Sequence, residues 1–141
     1  MSPLNEPPPI SARDPIGLLA GANPVVLPEK LTLRAVAAVL AAADIGAALV
    51  EREDGSTAIV SERDISRALA DDADPDVIWS ADVMTEDLVT AGVDEPILRV
   101  ALRMLDKGIR HIGIVEHGEI TGVVSARDVL QVFAEEVLAT P

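Results

Sequence analysis

The chain contains no cysteine and no tyrosine, and its aromatic residues are one tryptophan and one phenylalanine among 141. The first absence removes disulfide frameworks, thiolate metal sites and cysteine nucleophiles together. The second removes the stacking platforms that read single-stranded nucleic acid and leaves the core to aliphatic side chains. Basic residues are scarce too: 11 Lys and Arg stand against 24 Asp and Glu, a formal net charge of −13. Such a surface repels phosphate backbones and anionic membranes, so neither nucleic acid nor membrane is an expected partner. Screening over about 8–10 Å still lets a locally basic pocket take one small anion. The opening MSPLNEPPPI has no basic n-region and no apolar h-region, and the apolar run from Ala35 stops at Asp44. Neither a signal peptide nor a membrane span is expected, which predicts a cytoplasmic protein.

What is present is ample aliphatic material. Hydrophobic residues make up 49% of the chain, and the mean hydropathy is +0.32. The length suits one compact domain or two small ones packed together. Pro3, Pro7, Pro8, Pro9 and Pro15 crowd the first 15 residues. Proline at that density forms neither helix interior nor central strand, so residues 1–15 read as a flexible tail.

The remainder is written twice. Ser61 and Ser125 stand 64 positions apart (125 − 61), and that shift also aligns Arg63 with Arg127 and Asp64 with Asp128. It pairs Leu33 with Ile97, Val36 with Val100, Leu40 with Met104 and Ile45 with Ile109, with one slip where Asp54-Gly55 meets His117-Gly118. Each half predicts the same succession. A short extended piece (Pro24 to Leu27; Leu88 to Ala91) precedes an amphipathic helix. A hairpin follows, AALVE to TAIVS or HIGIVE to ITGVVS, and a second helix starts just after each serine. The halves divide at 16–78 and 79–141, with Trp79 expected where they meet. The fold class is α/β (α+β): two β-α-β-β-α units related by a pseudo-two-fold axis, each needing the other to bury its sheet.

IVSERDIS and VVSARDVL place Ser-x-x-Asp where a strand turns into a helix. One role is structural, a capping box in which the Ser oxygen and the Asp carboxylate satisfy orphan backbone donors. The same geometry sets a hydroxyl, a carboxylate and a helix N-terminus around a small cleft, where a carboxylate can take ribose hydroxyls and the helix end attracts phosphate. A third copy, Ser11 to Asp14, lacks the preceding strand and the 64-residue register; it reads as coincidence.

The ordered set, with ADVMTEDLVTA opening the second half and KGIRHIGIVEHGEITGVVSARDVL closing it, resembles the tandem CBS-domain pair, or Bateman module, over about residues 16–138. The resemblance implies a stand-alone regulatory module that binds AMP, ADP or ATP, less favourably NAD or S-adenosylmethionine, between the repeats. It implies that Ser61 with Asp64 and Ser125 with Asp128 hold ribose. Thr85, Leu88 and Val89, or Gly21, Pro24 and Val25, would line the adenine pocket. Arg110 and His111 would face phosphate, as Arg63 and Arg127 could. It also implies a homodimer, in keeping with exposed helical faces, and a regulated partner protein.

The halves depart from each other in one telling place: Gly46 and Ala47 stand where the second half has Arg110 and His111. One cleft should therefore bind better, although the pair that these cations serve is left open. LLAGAN replaces VMTEDL in the first half and loses the threonine. No enzymatic activity is expected, because neither serine has a paired base and no G-x-S-x-G occurs. His111 and His117 offer no metal-ligand spacing. The rival reading is a ligand-free dimerisation scaffold in which the Ser-Asp pairs are helix caps alone.

Overall fold

A computed structural model describes residues 7–21 and 24–140. In chain order it contains a 3-10 turn (Ile16–Leu19), β1 (Val26–Pro28), α1 (Leu33–Ala43), β2 (Ala47–Glu51), β3 (Thr57–Ser61) and α2 (Glu62–Ala70). The second half follows with α3 (Ser80–Val83), β4 (Thr90–Gly92), α4 (Ile97–Lys107), β5 (His111–Glu116), β6 (Glu119–Ser125) and α5 (Ala126–Ala139). Each half forms a three-stranded sheet with its middle strand parallel to the first and antiparallel to the third, in the orders β1-β2-β3 and β4-β5-β6. The middle strands are covered on both faces, so AALV and IGI read as continuous apolar runs rather than alternating ones. This is the mixed α/β pair of units that the sequence implies.

Turn chemistry explains the slip between the halves. His117 and Gly118 both have positive φ (51° and 79°) and make a two-residue hairpin, whereas β2 and β3 are joined by a longer loop from Arg52 to Ser56. A bulge in β6 opposite Ile114 and Val115 then restores the register, so that His111 pairs with Ser125 as Ala47 pairs with Ser61. That restoration is what brings both serines to equivalent points.

The segments leading into each half change places. Ser80 N–H donates to the Leu31 carbonyl and Ala81 N–H to that of Glu29, docking α3 on the first sheet. Ile16 N–H donates to Glu95 and Gly17 N–H to Val93, docking the 3-10 turn on the second. Shifting each donor back by 64 and each acceptor forward by 64 turns one set of bonds into the other. Ile16 is fully buried in the second core beside Val100, Ile112 and Val124, while Val83 and Met84 pack on the first core. Burying Ile16 contributes about 1.5–3 kcal/mol and fastens the first repeat's leading segment to the second. Thr85 continues this exchange by pairing with Ile59 at the edge of β3.

Two expectations change here. The proline-rich segment is docked from Ile10 onward: Ala12 is buried, and the carbonyls of Ala12 and Asp14 accept from Leu98 and Ile97. Those two donors are orphan groups at the start of α4, which gives the segment a partner that local sequence does not show. Residues 1–6 of the expected tail lie outside the described residues. Trp79 is 42% exposed and so is not buried where the halves meet; its backbone N–H caps onto Asp82 at 2.8 Å, while its strand-like bridge is to Thr32 of the first half. Backbone capping rather than ring burial fixes its place.

Candidate functional site

Ser61 ends β3 and caps α2. Its backbone N–H donates to Asp64 Oδ2 at 2.9 Å, and Asp64 N–H donates back to Ser61 Oγ at 3.3 Å. The Ser61 hydroxyl lies 3.1 Å from the same carboxylate oxygen, which leaves Oδ1 to accept from the Thr85 hydroxyl at 3.3 Å. Ser125 and Asp128 repeat the ring at 2.9 and 3.1 Å. The short third copy also folds its carboxylate back, with Ser11 N–H on Asp14 Oδ2 at 2.8 Å, but it follows no strand.

The first ring opens on a cleft of about 560 Å³ between the repeats. Its floor and one wall come from Ile59, Ser61, Asp64 and Gly46 of the first half. Thr85, Leu88 and Val89 of the exchanged segment, and Arg110 and His111 of the second half, face them. Eight of the residues singled out from the sequence, counting Arg63, thus meet in one place. Ser125, Asp128, Arg127, Gly21, Pro24 and Val25 lie outside it. Of LLAGAN, Ala22 and Asn23 lie outside the described residues.

The structure answers which Ser-Asp pair the cations face: Arg110 and His111 line the Ser61–Asp64 cleft. Arg67 and Lys107, not picked out from sequence, line it as well. Each left a signal. Arg67 follows Arg63 by one helical turn on α2, and Lys107 precedes the left-handed cap Gly108 (φ 63°) that ends α4. With Arg63, four permanent cations gather beside the N-terminus of α2, against the carboxylates of Glu62, Asp64 and Asp87. Arg63 Nη1 also donates to the Gly108 carbonyl at 3.3 Å, linking the repeats across the cleft.

His111 occupies the seam. A Cβ added at Gly46 would lie 2.9 Å from His111 Nε2, so glycine leaves the space that the ring fills. Burial pushes the His111 pKa below its ordinary value, reinforced by Arg110 and opposed by Glu62 and Asp128. His111 pairs with Ser125 across β5 and β6, while its ring lies over Gly46 of the first half.

Among the described residues no group of three or more His, Asp or Glu side chains could hold a metal ion, and no helix is long and apolar enough to cross a membrane.

Comparison with known proteins agrees with this architecture. The profile of the CBS domain matches twice, over residues 18–71 and 80–135. A CBS domain protein from Pyrobaculum aerophilum, solved in complex with AMP, is 33% identical; the match covers 89% of this chain and 99% of that one, with a TM-score of 0.76. A CBS-domain containing protein from Agrobacterium tumefaciens shares the fold at a TM-score of 0.80 and 24% identity, over 92% and 99% of the two chains. An uncharacterized protein from Methanopyrus kandleri is 31% identical over 86 residues, 60% of this chain and 44% of its own length. The chain spans less than half the length of the curated relatives that it matches.

Proposed function

The chain belongs to the CBS-domain family, and we propose that it is a regulatory module binding an adenine nucleotide in the cleft between Ser61–Asp64 and Arg110–His111. The observation that carries this reading is the juxtaposition itself. A carboxylate held by Ser61 and Thr85 suits the paired hydroxyls of a ribose, and four cations on the facing walls suit a phosphate. Leu88 and Val89 supply apolar surface for a base, and the cleft is within the size range of small-ligand sites. The Pyrobaculum aerophilum relative binds AMP and is similar over most of this chain, which favours AMP, ADP or ATP as ligand class ahead of NAD or S-adenosylmethionine.

The role is regulatory rather than catalytic. Ligand bound across two repeats stabilises their arrangement by RT ln(1 + [L]/Kd), about 2.7 kcal/mol at 100-fold excess over Kd. It transmits a signal to a partner protein when it binds two arrangements unequally. Self-association as a homodimer and a cytoplasmic location belong to the same reading. Titration calorimetry with AMP, ADP, ATP, NAD, S-adenosylmethionine and adenosine tests it. Saturable binding of a phosphorylated adenine nucleotide, weakened by Asp64→Ala, is the expected result. No heat and no thermal shift with any of them at millimolar concentration would leave the Ser-Asp rings as helix caps on a ligand-free scaffold.

A further inference from the structure

Neither Arg52 nor Glu86 lines the cleft, yet an ion pair between them ties the repeats together beside it. Arg52 opens the loop that joins β2 to β3, and its Nη2 lies 3.3 Å from Glu86 Oε1 in the exchanged segment. An arginine on such a loop ordinarily carries its charge into water. Here the side chain is only 23% exposed, and its Nε is, among the described residues, the one buried side-chain donor or acceptor with no hydrogen-bond partner. Leaving a donor buried and unpaired costs stability, so the guanidinium is held in place against that cost. Nor is Glu86 the sole carboxylate at hand. Arg52 lines a groove of about 370 Å³ together with Glu29, Glu51 and Glu53, but none of those three comes within 4.0 Å of it.

Glu86 sits in the stretch that supplies one wall of the cleft. Thr85, before it, exchanges backbone hydrogen bonds with Ile59 at the β3 edge, at 2.8 and 3.2 Å, and its hydroxyl meets Asp64 Oδ1 at 3.3 Å. Beyond it, Leu88 N–H folds back to the Glu86 carbonyl at 3.0 Å, and the Val89 carbonyl accepts from Gly113 on the second sheet. Thr85 and Val89 are thus fastened to opposite repeats. Between them Glu86 and Asp87 are exposed, and the Arg52 contact ties this turn to the first repeat. The pair has no counterpart on the other side, because 64 positions away Glu116 stands for Arg52 and Ala22 for Glu86.

Resting on the proposal that the cleft takes a nucleotide, we infer that Arg52 is a positioning residue for that ligand. Through Glu86 it fixes the turn that sets the Thr85 hydroxyl on the ribose carboxylate and Leu88 against the base. Arg52 itself touches no ligand atom, and its effect has a particular signature. Ribose and base are uncharged and common to adenosine and AMP, so a contact that places their wall strengthens both by one factor. A contact to phosphate strengthens AMP alone. Adenosine binding also acquires a dependence on salt, because screening weakens the Arg52–Glu86 pair and has no ligand charge to act on.

Calorimetric titration of the full chain with AMP, and with adenosine by displacement of AMP, tests the inference at low and high salt. Arg52→Met and Glu86→Gln should each lower affinity for both ligands about three- to fivefold, the range of a partly exposed ion pair. The double variant should lose no more than either single one, since all three delete the same contact. At high salt the wild-type affinity for adenosine should fall to that of Arg52→Met, which itself should not move. Circular dichroism on each variant reports folding, and Glu86→Gln, at an exposed position, carries the test if Arg52→Met does not fold. Unchanged affinities, losses that add in the double variant, or a loss for AMP alone overturn the inference and leave the nucleotide reading standing. A wild type that binds neither ligand overturns both.

Discussion

At Ser61 and at Ser125 the backbone builds the same ring of serine, aspartate and helix N-terminus, with donor distances that agree to within a few tenths of an ångström. The walls that face the two rings do not agree. Opposite Ser61 stand Lys107, Gly108, Arg110 and His111; the positions 64 residues earlier in the sequence are Ala43, Asp44, Gly46 and Ala47. Thr85, which holds the free oxygen of Asp64, has Gly21 as its counterpart, so the Asp128 side has no equivalent hydroxyl. Asp44 and Gly108 end α1 and α4 in the same left-handed conformation, at φ 53° and 63°. The cap is therefore equal in backbone terms and opposite in consequence, since one side gains a carboxylate. Duplication preserved the parts that hold the fold together, and the difference in charge fell on side chains that no cap or core requires.

The largest test of this comparison removes the carboxylate on each side in turn. Asp64→Ala should cut nucleotide affinity by about a hundredfold, because it deletes charge-assisted hydrogen bonds worth about 1.5–3 kcal/mol each. Asp128→Ala should change it by less than about threefold, below 1 kcal/mol. Equal losses in calorimetry would show that the clefts are alike in use. Next in size is Arg110→Ala, expected to weaken AMP binding about tenfold, roughly 1.4 kcal/mol, while leaving adenosine unaffected and flattening the salt dependence. A parallel loss for adenosine would mean that Arg110 shapes the cleft rather than meeting phosphate. Smaller still, Ser61→Ala and Ser125→Ala should each cost about 1 kcal/mol of stability in denaturant unfolding, since both are N-caps. On this measure alone the halves should look the same.

The elements and both rings were legible because they are written locally. Helical spacing from Leu33 to Leu40, apolar strands ending at a serine, and an acid three residues later need no knowledge of the other half. The composition of the cleft was not legible in that way. Arg110 belongs to the second half by sequence and to the Ser61 ring by space, because the two repeats face each other across the axis. The docking of Ile16 on the second core was hidden for the same reason: its partners, Glu95 and Val100, lie some eighty positions away, and a four-residue turn carries no periodicity. Trp79 misled because a lone large aromatic promises burial, whereas its backbone was recruited to cap α3. Local patterns revealed what each half is, and long-range pairing decided what the halves do to each other.

The mildest test concerns His111, which lines the Ser61 cleft and pairs with Ser125 across β5 and β6. Burial, with Arg110 beside it, holds its pKa below the ordinary value of about 6.5, while Glu62 and Asp128 pull the other way. Well above pH 6.5 the ring is uncharged in the folded and unfolded chain alike and adds nothing to the balance. As pH falls below about 6.5 the unfolded chain takes up a proton that the folded one resists, so stability decreases until the folded ring is protonated too. A phosphate bound between Arg110 and the α2 N-terminus reverses the preference, because the added negative charge favours the imidazolium. Binding should then take up a proton, and affinity should rise a few-fold as pH falls through the window between the free and bound pKa values. A phosphate monoester itself titrates near pH 6, so the measurement is a difference: proton uptake by calorimetry in two buffers, for the wild type and for His111→Gln. The variant should lose the protein's share of the uptake and its stability decrease at acid pH. If both curves coincide with the wild type, His111 only fills the space over Gly46, and the unequal clefts owe their difference to Arg110, Lys107 and Arg67.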